Sequence, residues 1–453
     1  MRFFSTNPFD NKVVKKISGH SLGELQDILR RAVQEYETWK KTPVISRSKY
    51  LQSVAAILRA EKSRWASLIT LEMGKPIKEA EVEIEKCALV CDFYSEKAPD
   101  WLNDEKIPSE ASSSFISYEP LGVVLGIMPW NFPFWQVFRF AVPAIAAGNV
   151  VLLKHASNVP QCALAIQEIF QKAQPGYIFQ TLLINNRRVR RVIEHPAVKM
   201  VSLTGSDRAG AEVAALAGRN IKKTVMELGG SDPFIVLEDA NLKSAAETGL
   251  RSRMQNAGQS CIAAKRFIVV PEVRDKFIEM MAELISKIKV GNPADPATEM
   301  GPLASENQAR AVMKQIQQSV RAGAKIVIGG KRLSGKGAFV QPTLLVNVKP
   351  GMPVFDEEVF GPVACVVDAR DGEEAIQLAN KTHYGLGASL WSEDIEKATR
   401  YVRLINAGNV FINAMVRSDP RFPFGGINRS GYGRELSIHG LREFVNIKTV
   451  WIT

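Results

Sequence analysis

Short apolar runs alternate with longer amphipathic segments along most of this chain, and that alternation limits the folds it can adopt. Buried strands are predicted where such runs stop at glycine, proline or charged residues, at 121–128, 149–154, 267–270, 326–328 and 364–367. Helices are predicted at 273–290 and 305–322. Strands that alternate with helices in this way are typical of an α/β architecture.

The two ends of the chain and the segment before the first buried strand follow other patterns. Residues 21–101 carry apolar side chains at three- and four-residue spacing with few glycines, which predicts helices that flank a sheet. Residues 109–124 alternate apolar and polar as an edge hairpin does. Residues 446–452 predict an exposed strand that needs a partner and could pair between subunits.

Composition is ordinary, so it excludes whole classes of protein without indicating an activity. With 453 residues, 46% hydrophobic and 23% charged, the chain is typical of a soluble globular protein of two or three domains. No paired metal-binding spacing occurs among its five cysteines, which are Cys87, Cys91, Cys162, Cys261 and Cys365. We therefore expect no metal, no disulfide framework and a reducing compartment.

The net charge of +11 raises the question of a nucleic-acid partner. The 58 lysines and arginines are scattered among 47 acidic residues, and the longest basic cluster, at 187–191, is interpreted as a solvated surface turn. Residues 1–8 lack an apolar core of signal-peptide length, and no span approaches the length of a membrane helix. We expect a cytoplasmic protein with no nucleic-acid or membrane partner.

One cysteine stands at the centre of an unusual segment, residues 256–267. Gly258 and Ser260 precede Cys261 and two alanines follow it, so the backbone can turn tightly and a small molecule can approach the thiol. Free cysteines are also common as small buried hydrophobes, and this segment alone does not decide between the two interpretations. Cys261 is a candidate nucleophile.

A carboxylate upstream favours the catalytic interpretation. Glu227 follows an apolar run and precedes Gly229 and Gly230, where a strand is predicted to end. Cys261 lies 34 positions later, which leaves room for one strand-and-helix excursion and a return to the same cleft. A thiol and a carboxylate that meet there can form a covalent intermediate and then hydrolyse it.

Three ordered motifs carry a family resemblance. They are Glu-Leu-Gly-Gly at 227–230, Gly-Gln-Ser-Cys at 258–261, and Pro-Phe-Gly-Gly-Ile-Asn-Arg-Ser-Gly-Tyr-Gly-Arg-Glu at 423–435. Together they resemble the NAD(P)-dependent aldehyde dehydrogenase superfamily over nearly the whole chain. The resemblance implies a Rossmann-like cofactor-binding domain (1–107 and 124–229), an α/β catalytic domain (230–430) and a small β oligomerisation arm (108–123 and 437–453). It also implies a homodimer or a homotetramer.

Asn131 is the candidate oxyanion-stabilising residue. It follows the predicted strand 121–128 and stands between Pro129 and Pro133, which leave its side-chain amide little freedom. Such a donor is aimed before the reaction begins. Asparagine is also common in turns beside proline, so the motif alone is suggestive only.

Several turns are candidates for binding the cofactor. Gly205-Ser206 precedes a predicted helix, where free amides and the helix dipole favour the diphosphate. The resemblance implies that Glu358 binds the ribose hydroxyls of the nicotinamide half, and that Phe360 and Trp130 also contact the cofactor.

Cofactor preference is expected to depend on the end of another predicted strand. Lys154 could reach a ribose or a phosphate, although it could also be an ordinary strand-end lysine. The family usually continues with proline and has a glutamate three positions after this lysine, whereas His155 and Ser157 stand here. The carboxylate that would repel a 2′-phosphate is absent, so we expect NADP or NAD as cofactor.

The resemblance implies irreversible oxidation of an aldehyde to a carboxylic acid. Cys261 attacks the carbonyl as a thiolate while the Asn131 side chain and the Cys261 amide hold the oxyanion, and hydride passes to the nicotinamide. Glu227 then activates water to hydrolyse the thioester. Glu435 corresponds to a second glutamate proposed as an alternative base in some relatives.

The predicted substrate is succinate semialdehyde. Arg139 stands eight positions after Asn131, where succinate-semialdehyde dehydrogenases have an arginine, and a guanidinium suits the distal carboxylate of a semialdehyde. Gln255 replaces a second arginine of many such enzymes, and Arg417 or Arg421, together with Ser418, is a candidate to compensate.

Three alternatives remain open from sequence. A general aliphatic or aromatic aldehyde dehydrogenase is one, because Trp135 and Phe138 are expected beside the substrate tunnel and would favour an apolar substrate. A noncatalytic crystallin-like or nucleic-acid-binding relative is another, and intact Cys261, Glu227 and Asn131 argue against it. A CoA-dependent enzyme that transfers the acyl group is the third, and Glu227 favours hydrolysis instead.

Overall fold

An antiparallel hairpin opens the chain in the computed structural model, which describes residues 1–174, 176–335 and 337–453. Strand β1 (Arg2–Asn7) pairs with strand β2 (Lys12–Ser18). The sequence predicted no element here. Almost every residue of β2 is exposed, so its apolar side chains show no alternation between a buried and a solvated face.

Four helices follow, as the apolar spacing predicts. They are α1 (Leu22–Trp39), α2 (Val44–Ala60), α3 (Lys62–Met73) and α4 (Ile77–Trp101). A capping box begins α1, in which Ser21 accepts from the Glu24 amide and Glu24 accepts from the Ser21 amide. On α4, Cys87 and Cys91 are buried free thiols one turn apart. The strands β3 (Glu105–Lys106) and β4 (Ser113–Pro120) come next and pair antiparallel.

A first large sheet is built from alternating strands and helices. Its elements in chain order are β5 (Val123–Met128), α5 (Trp135–Ala146), β6 (Val150–His155), α6 (Pro160–Ala173), β7 (Phe179–Thr181), α7 (Asn186–Glu194), β8 (Val198–Thr204), α8 (Asp207–Arg219) and β9 (Lys223–Glu227). These strands are parallel, in the order β9-β8-β5-β6-β7. The chain leaves β5 towards β6 and later returns to β8 on its other side, and ligands of open α/β sheets bind at such a switch point.

Helix α5 is buried along its whole length beneath this sheet. A Cβ added at Gly126 of β5 would lie 2.0 Å from the Phe140 ring, so glycine allows the helix to pack directly on the strand. Phe138 of α5 stacks on Phe170, which stacks on Phe179, with centroid distances of 5.3 and 4.5 Å. A charged residue on α5 therefore has little access to water and needs a partner of opposite charge.

The basic cluster at 187–191 lies in α7, so its interpretation as a turn is wrong. Val189, Val192 and Ile193 are buried, at the three- and four-residue spacing of a helix face. Arg187, Arg190 and Arg191 are exposed on the rest of the helix surface. The helix was not predicted because its three buried apolar residues are interspersed with arginines.

A second large sheet contains the remaining predicted strands. Its elements are β10 (Pro233–Val236), α9 (Leu242–Met254), β11 (Arg266–Val269), α10 (Pro271–Ser286), α11 (Glu306–Arg321), β12 (Lys325–Ile328), β13 (Thr343–Val346), α12 (Pro353–Asp356), β14 (Val363–Asp368), α13 (Gly372–Asn380), β15 (Gly387–Trp391), α14 (Ile395–Val402) and β16 (Asn409–Ile412). The strand order is β12-β13-β14-β11-β10-β15-β16, with β12 antiparallel to β13 and the other neighbours parallel. A separate hydrophobic core surrounds it, including Phe234, Phe267 and Phe277.

The last residues join the first large sheet and the small sheet formed by β3 and β4. Strand β17 (Gly431–Tyr432) joins β9 antiparallel, α15 (Ser437–Glu443) follows, and β18 (Val445–Ile452) pairs with β4 along its whole length. The partner of the predicted strand 446–452 thus lies in the same chain. Among the described residues, no strand pairs with the other edge of β18, and the side chains of Ile447, Trp451 and Ile452 on this strand are exposed.

The α/β fold class is confirmed, whereas the predicted domain boundaries stay a prediction. The sheets fall at 123–227 and 233–412, with an arm formed by β3, β4 and β18, but a sheet boundary alone does not define a folding unit. Within the described ranges, none of the helices is long and apolar enough to span a membrane.

Candidate active site

Cys261 lies where two cavities meet. On one side its side chain lines a cavity of about 680 Å³, together with Phe132, Trp135 and Phe424. On the other side it lines a cleft of about 250 Å³ at the carboxyl ends of β5, β8 and β9. Because the same side chain borders both spaces, molecules held in the two cavities can meet at the sulfur.

The backbone before Cys261 is strained and tightly held. Asn256 and Ala257 have φ angles of 54° and 52°, in the left-handed region that non-glycine residues rarely adopt. Gly258 is also left-handed, and a Cβ there would lie 2.3 Å from the Gly361 carbonyl oxygen. The buried Arg253 donates to the Gly258 carbonyl at 2.8 Å. These contacts explain the glycine in Gly-Gln-Ser-Cys and hold the loop that carries the thiol.

Glycines in Glu-Leu-Gly-Gly allow two functional groups to approach. A Cβ at Gly229 would lie 2.6 Å from Oε2 of Glu358, and a Cβ at Gly230 would lie 2.8 Å from the Cys261 carbonyl oxygen. Glu358 accepts a hydrogen bond from the Gly230 amide at 3.0 Å. Larger side chains would separate the cysteine loop from the strand that ends at Glu227.

Lys265 links the cysteine loop to Glu358 and was not predicted from sequence. Its buried ammonium donates to the carbonyls of Cys261 at 2.7 Å and Ser260 at 3.0 Å, and it lies 3.6 Å from Oε1 of Glu358. The signal was present as a charged residue in an otherwise small and apolar segment.

Asn131 is buried beside the same loop and lines the same cleft as Cys261. Its side-chain amide donates to the Gln259 carbonyl at 3.1 Å, and its own carbonyl accepts from the Asn256 side chain at 2.7 Å. One N–H of the Asn131 amide is thereby engaged and the other is left for a ligand. The structure brings Asn131 and the cysteine loop together as the sequence predicts.

Glu227 ends β9 and is almost completely buried. Its Oε2 lies 4.0 Å from Nη2 of Arg139, and within the described chain its Oε1 accepts no hydrogen bond. Burial raises the pKa of Glu227 well above its usual value, Arg139 opposes that rise, and Glu435 adds to it. Gly425 packs against the carboxylate, since a Cβ there would lie 2.8 Å from Oε1.

Arg139 forms a buried ion pair with Glu435 and donates to Thr204 at 3.3 Å. Its guanidinium also lies 4.8 Å from the centre of the Phe424 ring, and it lines the larger cavity. Burial raises the pKa of Glu435, and Arg139 lowers it. The predicted substrate contact of Arg139 and the predicted base role of Glu435 stay predictions, but each group already has a partner.

The surroundings of the Cys261 thiol favour its protonated form. Burial raises its pKa to about 12, although Arg139 and Lys265 act to lower it, while Glu358 and Glu227 raise it further. Formation of a thiolate therefore needs a nearby proton acceptor. Glu227 is close enough to influence the thiol and is made more basic by burial.

The small cleft contains most of the predicted nicotinamide-side residues. Trp130 and Phe360 pack edge to face at 5.7 Å, and Gln308, which was not predicted, donates to the Phe360 carbonyl at 2.8 Å. Gly205 and Ser206 line the same cleft at the start of α8. The Gly205 amide donates to the Glu227 carbonyl at 3.0 Å, so that amide is not free for an anion.

A third cavity, of about 550 Å³, lies beyond the end of β6. The predicted Lys154 and Ser157 line it, together with Arg2 of the N-terminal hairpin and Arg187 of α7. Burial lowers the pKa of Lys154. Three cationic side chains and a hydroxyl fit a phosphate. The contribution of Arg2 was not predicted because the hairpin itself was not.

The model of the aldehyde dehydrogenase family matches residues 2–450 of this chain. The chain belongs to the aldehyde dehydrogenase family. The predicted family and enzyme class are thereby confirmed.

Curated relatives and solved structures resemble this aldehyde dehydrogenase over its full length. The probable succinate-semialdehyde dehydrogenase (NADP(+)) of Synechocystis sp. is 50% identical over 453 residues, all of both chains. Succinate-semialdehyde dehydrogenase (NADP(+)) 1 of Mycobacterium tuberculosis is 46% identical over 456 residues, again all of both chains. A crystal structure of succinic semialdehyde dehydrogenase from Streptococcus pyogenes, in complex with NADP+, has a TM-score of 0.97 at 37% identity over 99% of each chain.

The wall of the larger cavity in this aldehyde dehydrogenase carries the predicted Ser418 and an unpredicted lysine, Lys86. Ser418 is buried, and its hydroxyl accepts from Nζ of Lys86 at 2.8 Å and from Nε1 of Trp135 at 3.2 Å. Arg417 lines the cavity but is exposed to solvent. No sequence motif marked Lys86, which is one of many lysines on predicted helices.

Carboxylates from α4 complete this region. Glu83 pairs with the buried Lys75 and accepts from the amides of Phe134 and Trp135, so it holds the start of α5. Glu79 accepts from the Asn256 amide at 2.8 Å, and burial raises its pKa to about 7. Helix α4 thus supports both the helix that carries Arg139 and the strained loop before Cys261.

Proposed function

We propose that this aldehyde dehydrogenase oxidises succinate semialdehyde to succinate with NADP, through a thioester on Cys261. The observation that carries the proposal is the position of Cys261 between a large cavity with basic side chains on its wall and a cleft lined by the residues predicted to bind the nicotinamide half of the cofactor. The names of the full-length relatives supply the substrate and the cofactor.

Attack begins with loss of the Cys261 proton. Burial favours the protonated thiol, so attack requires a proton acceptor, and the ionised form of Glu227, which Arg139 stabilises, can take the proton from sulfur directly or through water. The sulfur then adds to the aldehyde carbonyl. Oxyanion charge is stabilised by the free N–H of Asn131 and the Cys261 amide, and such a donor contributes about 3 kcal/mol in the transition state.

The residues around the small cleft fit a nicotinamide dinucleotide. Trp130 and Phe360 form an aromatic wall, and Glu358 offers carboxylate oxygens to ribose hydroxyls. Lys154, Ser157, Arg2 and Arg187 surround the separate cavity that suits an adenosine 2′-phosphate. A bound cofactor supplies the hydride acceptor that oxidation of the aldehyde requires.

Glu227 is the general base for hydrolysis of the thioester in this proposal. Its free Oε1 can orient and deprotonate a water, because no protein group in the described ranges donates to that oxygen. Arg139 stabilises the ionised form that this step requires, and Glu435 opposes it. Water attack on the acyl carbon then releases succinate and regenerates the thiol.

The distal carboxylate of the substrate lies in the larger cavity in this proposal. Arg139, Lys86 and the exposed Arg417 are cations on its wall, which a purely hydrocarbon aldehyde would not use. The same wall contains Phe132, Trp135 and Phe424, and these favour a general aldehyde dehydrogenase as the second candidate.

Assembly through the arm completes the proposal. One edge of β18 has no partner strand in the described part of the chain, and its Ile447, Trp451 and Ile452 are exposed; these features support a homodimer or homotetramer, because such edges are usually covered.

Initial rates with both cofactors test the function. Succinate semialdehyde should have a kcat/KM at least about tenfold above that of butyraldehyde, which matches its chain length without the distal charge. NADP should be at least as effective as NAD. Equal kcat/KM values for the two aldehydes would favour the general aldehyde dehydrogenase, and activity with NAD alone would contradict the assignment of the phosphate cavity.

A further inference from the structure

Lys86 is a partly buried cation on the wall of the cavity that Cys261 borders. Its Nζ donates to Ser418 Oγ at 2.8 Å and lies 4.1 Å from the centre of the Trp135 ring. In the part of the chain that the structure describes, no carboxylate lies within ion-pairing distance of it. A hydroxyl and an aromatic face stabilise an ammonium but do not neutralise it.

Neighbouring charged groups already have partners of opposite charge. The ion pairs are Glu83 with Lys75, Asp419 with Arg421, and Glu435 with Arg139. Glu83 and Asp419 raise the pKa of Lys86, but burial and Arg139 outweigh them and lower it to about 8. The local charge balance therefore leaves Lys86 as a partly buried cation that an entering anion can neutralise.

Hydrogen bonding at Ser418 also leaves room for an anion. Its oxygen accepts from both Lys86 and Trp135, so its own proton remains available for donation. Lys86 uses one of its three N–H groups on Ser418. Two converging donors, one charged and one neutral, are thus available on the cavity wall.

We propose that Lys86 binds the distal carboxylate of the semialdehyde, together with the Ser418 already predicted from sequence, and so determines the specificity for an acidic aldehyde. This assignment rests on the proposed function and names the residues that select its substrate. It differs from the sequence-based prediction for Arg139, whose guanidinium is held by Glu435 and Thr204. In this assignment Arg139 orients the buried Glu227 and Glu435 and stabilises their ionised forms.

Substitution of Lys86 tests the assignment. Lys86→Met keeps the length and removes the charge, Lys86→Arg keeps the charge, and Lys78→Met removes an exposed charge at the mouth of the same cavity. The readout is kcat/KM for succinate semialdehyde divided by that for butyraldehyde. We expect Lys86→Met to lower this ratio more than about tenfold, chiefly through KM, and Lys86→Arg to keep most of it. Lys78→Met should change it by less than about twofold.

Binding of the product gives a measurement that does not require turnover. In a Cys261→Ala background, succinate binding is measured by titration calorimetry with and without Lys86→Met. The loss of Lys86 should weaken succinate binding by about tenfold or more. Circular dichroism melting curves of both variants establish that each is folded.

The possible failures are distinguishable. A wild type that prefers succinate semialdehyde, with a Lys86→Met variant that keeps this preference and the succinate affinity, overturns the role of Lys86. An equal loss in Lys78→Met overturns it too, since diffuse positive charge then explains the effect. A wild type without any preference for the acidic aldehyde overturns the proposed function itself.

Discussion

Arg139 and Glu435 form an ion pair in which both side chains are almost completely buried. Oε2 of Glu227 lies 4.0 Å from the same guanidinium, so one cation serves two carboxylates. Removing one partner of such a pair leaves a charge without compensation in a poorly solvated site. The arrangement makes the protonation of the proposed base depend on Arg139.

Replacing Arg139 with leucine should change the pH dependence of turnover. Arg139 lowers the pKa of Glu227, so its loss raises that pKa further and removes the ionised base at neutral pH. The acidic limb of the kcat profile should move by about one pH unit or more to higher pH, and Arg139→Lys should move it less. A profile that falls by one constant factor at every pH would contradict this role.

The same variant should lose stability in a pH-dependent way. Uncompensated burial of the carboxylates costs about 3–5 kcal/mol when both are ionised. Because burial holds the folded-state pKa of Glu435 above its usual value, and the loss of Arg139 raises it further, the destabilisation grows as pH rises through the unfolded-state pKa. Urea unfolding should therefore show a larger loss at pH 8 than at pH 5. An equal loss at both values would count against the buried pair as the cause.

Sequence patterns located the sheets because buried strands and amphipathic helices depend on local periodicity. The N-terminal hairpin and α7 were missed for the reasons that their burial patterns show: one exposes its apolar residues, and the other surrounds a short apolar face with arginines. A periodic pattern of apolar residues predicts an element only where one face of that element is buried and the other is solvated.

The motif residues of the candidate site were found by resemblance, and their surroundings were not. Lys86 and Ser418 are 332 positions apart, so their contact is created by packing of α4 against a distant loop. The ion pair of Arg139 with Glu435 was not predicted either, because a buried arginine and a substrate-binding arginine cannot be distinguished in sequence. Whether Arg139 contacts substrate depends on which charges surround it.

Ser157→Glu should reverse the cofactor preference. The new carboxylate would face the same cavity as Lys154 and repel the 2′-phosphate of NADP. We expect kcat/KM with NADP to fall by about tenfold or more, with the value for NAD retained. Ser157→Ala, which removes the hydroxyl without adding charge, should have a smaller effect on NADP. Unchanged use of NADP in Ser157→Glu would place the phosphate elsewhere.

Gly229→Ala should weaken cofactor binding without unfolding the protein. The new Cβ would lie 2.6 Å from Oε2 of Glu358 and displace that carboxylate from the Gly230 amide. We expect KM for NADP to rise by about tenfold if Glu358 binds the ribose. Gly218→Ala, where a Cβ meets nothing within 4 Å, is the matched control and should leave kinetics unchanged. An unaltered KM for NADP in Gly229→Ala would remove Glu358 from the site.

Trapping the acyl-enzyme tests the central claim most directly. Glu227→Gln removes the base for hydrolysis and keeps the shape of the side chain. The variant also lacks the proposed acceptor of the thiol proton, so the single burst of NADPH should be slower than in the wild type, but it should still leave Cys261 acylated because the thioester is not hydrolysed. Intact-mass and peptide mass spectrometry after addition of succinate semialdehyde and NADP should find one succinyl group on Cys261. The Glu227→Gln/Cys261→Ala double variant should carry none. Steady turnover at the wild-type rate, or no succinyl group on Cys261, would contradict the account.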